Sequence, residues 1–411
     1  MRTISEFASV PSILPAQCIF PPFGIRAAAR DGQLGVACGG ERPAERRGFA
    51  NLGNSCYLAA VVVALASLPA LVDALEQLRR WAFRAVDVEV DEKQQLRMEF
   101  VVELAEVIAE FRRTRVAPSA RRLLRLAGRL DAQFGGRRPQ DAHEFLSMIT
   151  EACETFSDVH DAHEDRPRTS RLFADFPLFF ATRSRITCGE CGREADSTEE
   201  SVGLSEWPRR ERRPPVAGVD VGEREAADWS LWSAWSGREL LVDDAQFQCD
   251  PCGRKVDAVR TLRPLSLPDC LVVHYKLFRM RTEDGRVVLS KRTRVSFPPL
   301  QIPLDAIPTA GGEAESGAAY TLKALVVHAG GALDDGHFFC ARRRRSDFSE
   351  WRLFDDELVE VVGLAELRRL TARSTTPYLM FYEKTRPSTA PSSESDEQKN
   401  SADRTQPSFP H

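Results

Sequence analysis

Four short stretches carry residue types that can do chemistry, and they lie far apart in the chain. The first, Gly48-Phe-Ala-Asn-Leu-Gly-Asn-Ser-Cys-Tyr57, is polar and glycine-rich and runs directly into an apolar segment. A cysteine entering a helix meets the positive end of the macrodipole and unpaired backbone N–H groups, which favour thiolate. Those N–H groups, with the side-chain amide of Asn51, also suit a developing oxyanion. Taken alone, Cys56 reads more readily as a small core residue, the commoner fate of a free cysteine.

The second stretch is Tyr320-Thr-Leu-Lys-Ala-Leu-Val-Val-His328 with Asp335-Gly-His-Phe-Phe339, and the third is Trp351-Arg-Leu-Phe-Asp-Asp356. A histidine after a glycine at the start of a strand, with a carboxylate on the next strand, makes a base and its orienting acid. His337 and Asp355 fit those roles, with Asp356 beside them; singly, they pass for a structural histidine and a solvated turn. The fourth stretch is a pair of knuckles, Cys188-Gly-Glu-Cys191 and Cys249-Asp-Pro-Cys252, each followed by glycine. One Cys-x-x-Cys would suit redox use. Two suit a tetrahedral four-thiolate zinc site of structural kind. Residues 192–248 separate the knuckles, so strands must bring them together.

The elements that must position these residues fall into two halves. The run after Cys56 suits one buried helix ending near Pro69. Val101, Leu104, Ala105, Ile108 and Phe111 mark an amphipathic helix, as do Leu123, Leu124, Ala127 and Leu130. Ala142, Phe145, Leu146, Ile149 and Cys153 mark another, with Pro139 at its entrance and Asp141 in its first turn. Beyond them Leu271–Leu277, Tyr320–Val327, Phe338–Ala341 and Tyr378–Tyr382 read as strands. Helices first and strands second predict an α+β fold.

Residues 1–45 form an extension without sustained periodicity, and the Ser-, Pro- and acid-rich tail 385–411 is expected to be disordered. Pro208–Glu225 reads as a mobile insertion, and Trp229, Trp232 and Trp235 as packing along a helix. Cys153, Cys270 and Cys340 are expected in the core, and the Arg342–Arg345 run on a solvated turn.

The 411 residues are 43% hydrophobic and 28% charged, a balance that builds a core and excludes wholesale disorder. Seven lysines stand against 49 arginines, yet the net charge is only −4. There is no global basic field and no aromatic–basic interleaving, which argues against a nucleic-acid partner. Gly48–Val72 lacks charged residues, but Asn51, Asn54, Ser67 and Pro69 interrupt it, which argues against a membrane span. Glu6, Pro11, Pro15, Pro21 and Pro22 break any targeting signal, so a cytoplasmic or nuclear location is expected.

Together these stretches resemble the ubiquitin-specific protease family over residues 46–384. Gly48–Tyr57 is similar to the family's cysteine box, and Gln140-Asp-Ala-His-Glu-Phe-Leu146 to its Gln-Asp-Ala-x-Glu-Phe-Leu helix. Leu267–Lys276 resembles the strand after its zinc knuckles; Tyr320–His328, Gly336-His337, Trp351–Asp356 and Tyr378–Tyr382 resemble its histidine box and closing strand. The resemblance implies a papain-like fold with a helical thumb, a β-sheet palm and zinc-bearing β fingers over about residues 180–260.

The same resemblance implies a thiol isopeptidase that cleaves after the C-terminal Gly-Gly of ubiquitin through a thioester acyl-enzyme. Cys56 would be the nucleophile, His337 the base and then acid, Asp355 the third member with Asp356 as helper, and Asn51 the oxyanion donor. Asp141 and Gln140 would meet the ubiquitin tail and His328 would line the site. Cys188, Cys191, Cys249 and Cys252 would hold zinc, and no catalytic cofactor is implied. The partners would be ubiquitin and ubiquitinated proteins, met by a monomer. Ser55, Leu58, Ala59, Val63, Leu277 and Phe338 depart from the family's usual Thr, Met, Asn, Gln, Arg and Tyr. These departures leave two other readings open: a ubiquitin-binding pseudoenzyme, or a protease for a ubiquitin-like modifier.

Overall fold

The computed structural model describes residues 47–84, 88–114, 116–164, 176–202, 204–206, 238–283, 286–291, 295–305, 307, 309–310, 317–331, 336–372 and 375–385. The expectations for residues 1–45, Pro208–Glu225, the Trp229–Trp235 repeat and the tail after Thr385 fall outside them.

The first half is helical, as the spacing predicts. Helix α1 (Cys56–Leu65) is buried along all ten residues. Pro69 then opens α2 (Pro69–Ala82), where its missing N–H costs nothing. Helix α3 (Glu92–Arg113) starts at a capping box between Asp91 and Gln94. Helix α4 (Arg121–Leu130) and a 3-10 turn (Ala132–Gly135) lead to α5 (Ala142–His163). Asp141 is the N-cap of α5, one place before the first turn where the sequence pattern puts it; its carboxylate accepts from the N–H groups of His143 and Glu144. Among the described residues no single helix is long and apolar enough to cross a membrane.

The second half is sheet. An eight-stranded sheet runs β15-β14-β13-β12-β16-β8-β3, with β11 on β12. Its strands are β3 (Leu204–Glu206), β8 (Cys270–Tyr275), β11 (Gln301–Pro303), β12 (Ala319–Gly330), β13 (Gly336–Arg343), β14 (Glu350–Asp355), β15 (Leu358–Gly363) and β16 (Thr375–Thr385). All pair antiparallel except β3 with β8. A short helix, α6 (Leu364–Leu370), separates β15 from β16. The central strands are apolar on both faces, Leu322, Leu325, Val326, Leu379 and Met380 among them, because α1 lies across β13, touching β12 and β14 as well.

Two smaller sheets complete the fold. Strands β1 (Phe179–Cys188), β2 (Glu194–Val202), β4 (Arg238–Leu241) and β7 (Ala258–Pro264) form an antiparallel sheet ordered β2-β1-β7-β4, with the hairpin β5 (Phe247–Cys249)–β6 (Arg254–Val256) beside it. A second hairpin, β9 (Phe278–Glu283)–β10 (Arg286–Lys291), follows β8 and pairs only within itself among the described residues. Cys153, Cys270 and Cys340 are buried in the main core. Arg344 and Arg345 both pair with Glu350 across the β13–β14 turn, which satisfies part of the arginine run locally.

Candidate active site

Cys56 is the first residue of α1, and its placement follows from the loop before it. The Ser55 hydroxyl accepts from the Leu52 N–H at 2.8 Å instead of capping the helix, so the first turn of α1 has no side-chain cap. Its N–H groups are left facing the cysteine. Gly53 (φ 103°) and Asn54 (φ 57°) turn the chain through the left-handed region. Asn54 anchors the turn by donating to the Arg137 carbonyl at 2.7 Å. Tyr57 wedges between Phe134 and Phe145, ring centroids 5.7 and 5.3 Å away, so the cysteine's neighbour fixes the helix in the aromatic core.

His337 and Asp355 come from the strands beneath. His337 is the second residue of β13 and Asp355 the last of β14; His337 Nε2 and Asp355 Oδ1 are 2.5 Å apart. That contact leaves Nδ1 for the sulfur of Cys56. Burial works against charge on His337, but the hydrogen bonds to Asp355 and Cys56 outweigh it and raise the imidazole to about 10. With a folded value above the ordinary 6.5, this charge contributes stability in full below about pH 6.5 and loses it as pH rises through about 10.

Asn51 and Asp356 form a second layer. The Asn51 Oδ1 accepts from the N–H groups of Gly53 (2.9 Å) and Ser55 (3.3 Å), and its Nδ2 donates to Asp356 Oδ2 at 2.9 Å. An amide nitrogen has two hydrogens, so one stays free for an oxyanion. Burial raises the Asp356 carboxyl above its ordinary range, against the Asn51 hydrogen bond and the His337 charge.

Gly48 makes a contact that no local sequence pattern announces. Gly48 donates its N–H to the Glu357 carbonyl at 3.0 Å, and a Cβ on Gly48 would lie 1.9 Å from the Asp356 carbonyl oxygen. The only sequence signal was a glycine opening the cysteine stretch. Gly48 therefore lets the cysteine loop lie directly on the Asp355–Glu357 turn.

The expected tail-binding residues are placed unequally. Asp141 is 8% exposed, and its second oxygen accepts from the Tyr378 hydroxyl at 2.5 Å. Gln140 is half-buried next to it. His328 is wholly buried among Phe278, Phe338 and Tyr378, rather than open on the site, and neither ring nitrogen has a hydrogen-bond partner among the described residues. Burial, then the charges of Lys291 and His337, hold its imidazole down to about 3. His143 stacks on His274 with centroids 3.9 Å apart, a pairing the sequence did not reveal.

The four knuckle cysteines meet at the far end of the β1–β7 sheet. Cys188 and Cys249 end β1 and β5, with Sγ–Sγ distances of 3.9 Å (Cys188–Cys252) and 3.6 Å (Cys191–Cys249). All four sulfurs lie within 4.8 Å of one another. Thiolates about 2.3 Å from one zinc ion at tetrahedral corners stand roughly 3.8 Å apart, so the donor set fits the metal. Gly192 (φ 72°) and Gly253 (φ 67°) close the two turns in the left-handed region. Among the described residues local apolar support is slight, Val256 and Phe247 with the cysteines themselves, so a cation suits the site structurally.

Gly48→Ala is expected to push the cysteine loop off the acid turn, lowering kcat by at least about tenfold, as ångström-scale misplacement does. Steady-state kinetics with a thermal melt checks this; unchanged kcat in the folded variant would refute the contact's importance.

Residues 47–382 match the family model described as ubiquitin carboxyl-terminal hydrolase. The chain is 25% identical over 413 aligned positions to ubiquitin carboxyl-terminal hydrolase 12 of Salmo salar, covering 93% of this chain and 98% of that protein. It is 23% identical to ubiquitin carboxyl-terminal hydrolase 17-like protein E of Mus musculus, over 82% of this chain and 54% of that one. In fold it is similar to a chain in the solved SAGA Ubp8/Sgf11/Sus1/Sgf73 DUB module bound to ubiquitin aldehyde. The TM-score is 0.58 at 18% identity, over 84% of this chain and 71% of that one. With the helix-borne cysteine, the paired histidine and carboxylate and the thiolate knuckles, the match over most of the chain establishes that the protein belongs to the ubiquitin carboxyl-terminal hydrolase family.

Proposed function

We propose that this protein hydrolyses the peptide or isopeptide bond after the C-terminal Gly-Gly of ubiquitin, with Cys56 as nucleophile. The observation that carries the reading is the His337 imidazole held between the Asp355 carboxylate and the Cys56 sulfur at an uncapped helix N-terminus. A thiolate there attacks the scissile carbonyl. The oxyanion is met by first-turn N–H groups and the free Asn51 hydrogen, and Asp356 keeps that amide turned. His337 Nδ1 then gives its proton to the leaving amine, which expels it and leaves a thioester on Cys56. Water, deprotonated by the neutral imidazole, attacks the thioester, releases the ubiquitin carboxyl group and restores the thiolate beside the imidazolium.

Asp141 and Gln140 are proposed to face the ubiquitin tail. Asp141 already serves α5 and Tyr378, so its share in binding requires the Tyr378 hydroxyl to turn to the tail or to be shared with it. Solved relatives named for their complexes with ubiquitin aldehyde and monoubiquitin support ubiquitin as the ligand.

Ubiquitin carrying a C-terminal electrophile is expected to label the intact protein and to leave Cys56→Ala unlabelled. Binding without an adduct would favour the pseudoenzyme, and neither binding nor adduct would favour another Gly-Gly modifier.

The four cysteines are proposed to hold one structural zinc ion. Elemental analysis should find about one zinc per chain, and Cys249→Ser should lose it together with several degrees of Tm. No metal and an unchanged melt would refute the site.

A further inference from the structure

The β9–β10 hairpin is joined to the main sheet at its base rather than along its edge. Phe278 and Lys291 face each other across that base. The Phe278 ring stands perpendicular to His328 at 5.2 Å, and the Lys291 ammonium donates to two main-chain carbonyls of β12, His328 at 2.9 Å and Gly330 at 2.8 Å. Those carbonyls flank Ala329, the residue paired with His337 in the neighbouring strand; His328 pairs with Phe338 and Gly330 with Gly336. The lysine thus grips the three β12 residues that set the position of the proposed catalytic base.

We infer that Lys291 is a positioning residue for the reaction, clamping the end of β12 so that His337 stays in register with Cys56. The inference rests on the catalytic reading above. It explains a residue choice: in a chain with 49 arginines and only seven lysines, a compact ammonium stands where donors must converge on two carbonyls two residues apart. A planar guanidinium fans its donors outward and suits such a site poorly. Burial pushes the Lys291 ammonium down to about 7. The same cation and His337 both hold down the His328 imidazole between them, so the three groups share one electrostatic neighbourhood.

Lys291→Met keeps the bulk of the stem and removes every donor. In the full chain it is expected to lower kcat on ubiquitin-aminomethylcoumarin by at least about tenfold while KM moves less than threefold. Iodoacetamide labelling of Cys56 at pH 7, which needs no substrate, should slow in parallel while the thermal melt stays cooperative. Unchanged kcat and labelling in the folded variant would overturn the inference, and so would a raised KM with labelling intact. If Lys291→Met does not fold, Lys291→Gln, whose uncharged amide stands one bond short of the ammonium position and so cannot hold both carbonyls, carries the same comparison. Turnover surviving in Cys56→Ala would instead overturn the catalytic reading on which the inference rests.

Discussion

The contact between the cysteine loop and the acid turn holds the centre of this protein together. Gly48 and Asn51 lie some 300 residues before Asp356 and Glu357 in sequence, yet they meet through one main-chain hydrogen bond, one side-chain hydrogen bond and a backbone approach that leaves no room for a Cβ. Without that junction the helix carrying Cys56 and the sheet carrying His337 would still each have a core. Their offset would then rest on apolar packing alone, which is non-directional. Proton transfer between sulfur and imidazole depends on that offset to a fraction of an ångström, which is why rigid elements, and not loops, carry both groups.

The rest of the molecule serves that junction in layers. Helix α1 is apolar on every side because α5 and α3 cover one flank and the sheet covers the other. Tyr57, Phe134, Phe145 and Phe100 form an edge-on aromatic cluster that keeps its N-terminus from sliding. On the sheet side, Phe278, Phe338 and Tyr378 enclose His328, and Lys291 closes the end of β12. The four-cysteine end is the exception. Among the described residues it has almost no core of its own and is built around its donor atoms.

Much of this was legible in the sequence. The three- and four-residue spacing located α3, α4 and α5, and the β-branched runs located β8, β12, β13 and β16, because those elements bury one face or both. The four knuckle cysteines showed through their residue types and spacing, while Cys56, His337 and Asp355, bland when taken singly, stood out through the order of their stretches and the family resemblance it carries. What stayed hidden depends on long-range register. Nothing local about Gly48 says that Asp356 will rest on it, and nothing about Lys291 says that its ammonium will find β12. His328 looked like a residue lining the site and is sealed within an aromatic cage. Asp141 looked like a first-turn acid and is a cap shared with Tyr378, an assignment that needs the closing strand in place.

The proposed chemistry requires Cys56, His337 and Asp355 to act as one charged unit. Its most direct test is the titration of His337 by NMR in the full chain with labelled histidine, with Cys56→Ala as reference. The expected result is an imidazole still protonated well above 6.5, with a midpoint near 10, and a lower midpoint once the sulfur is removed. A midpoint at the ordinary histidine value, unmoved by Cys56→Ala, would contradict it.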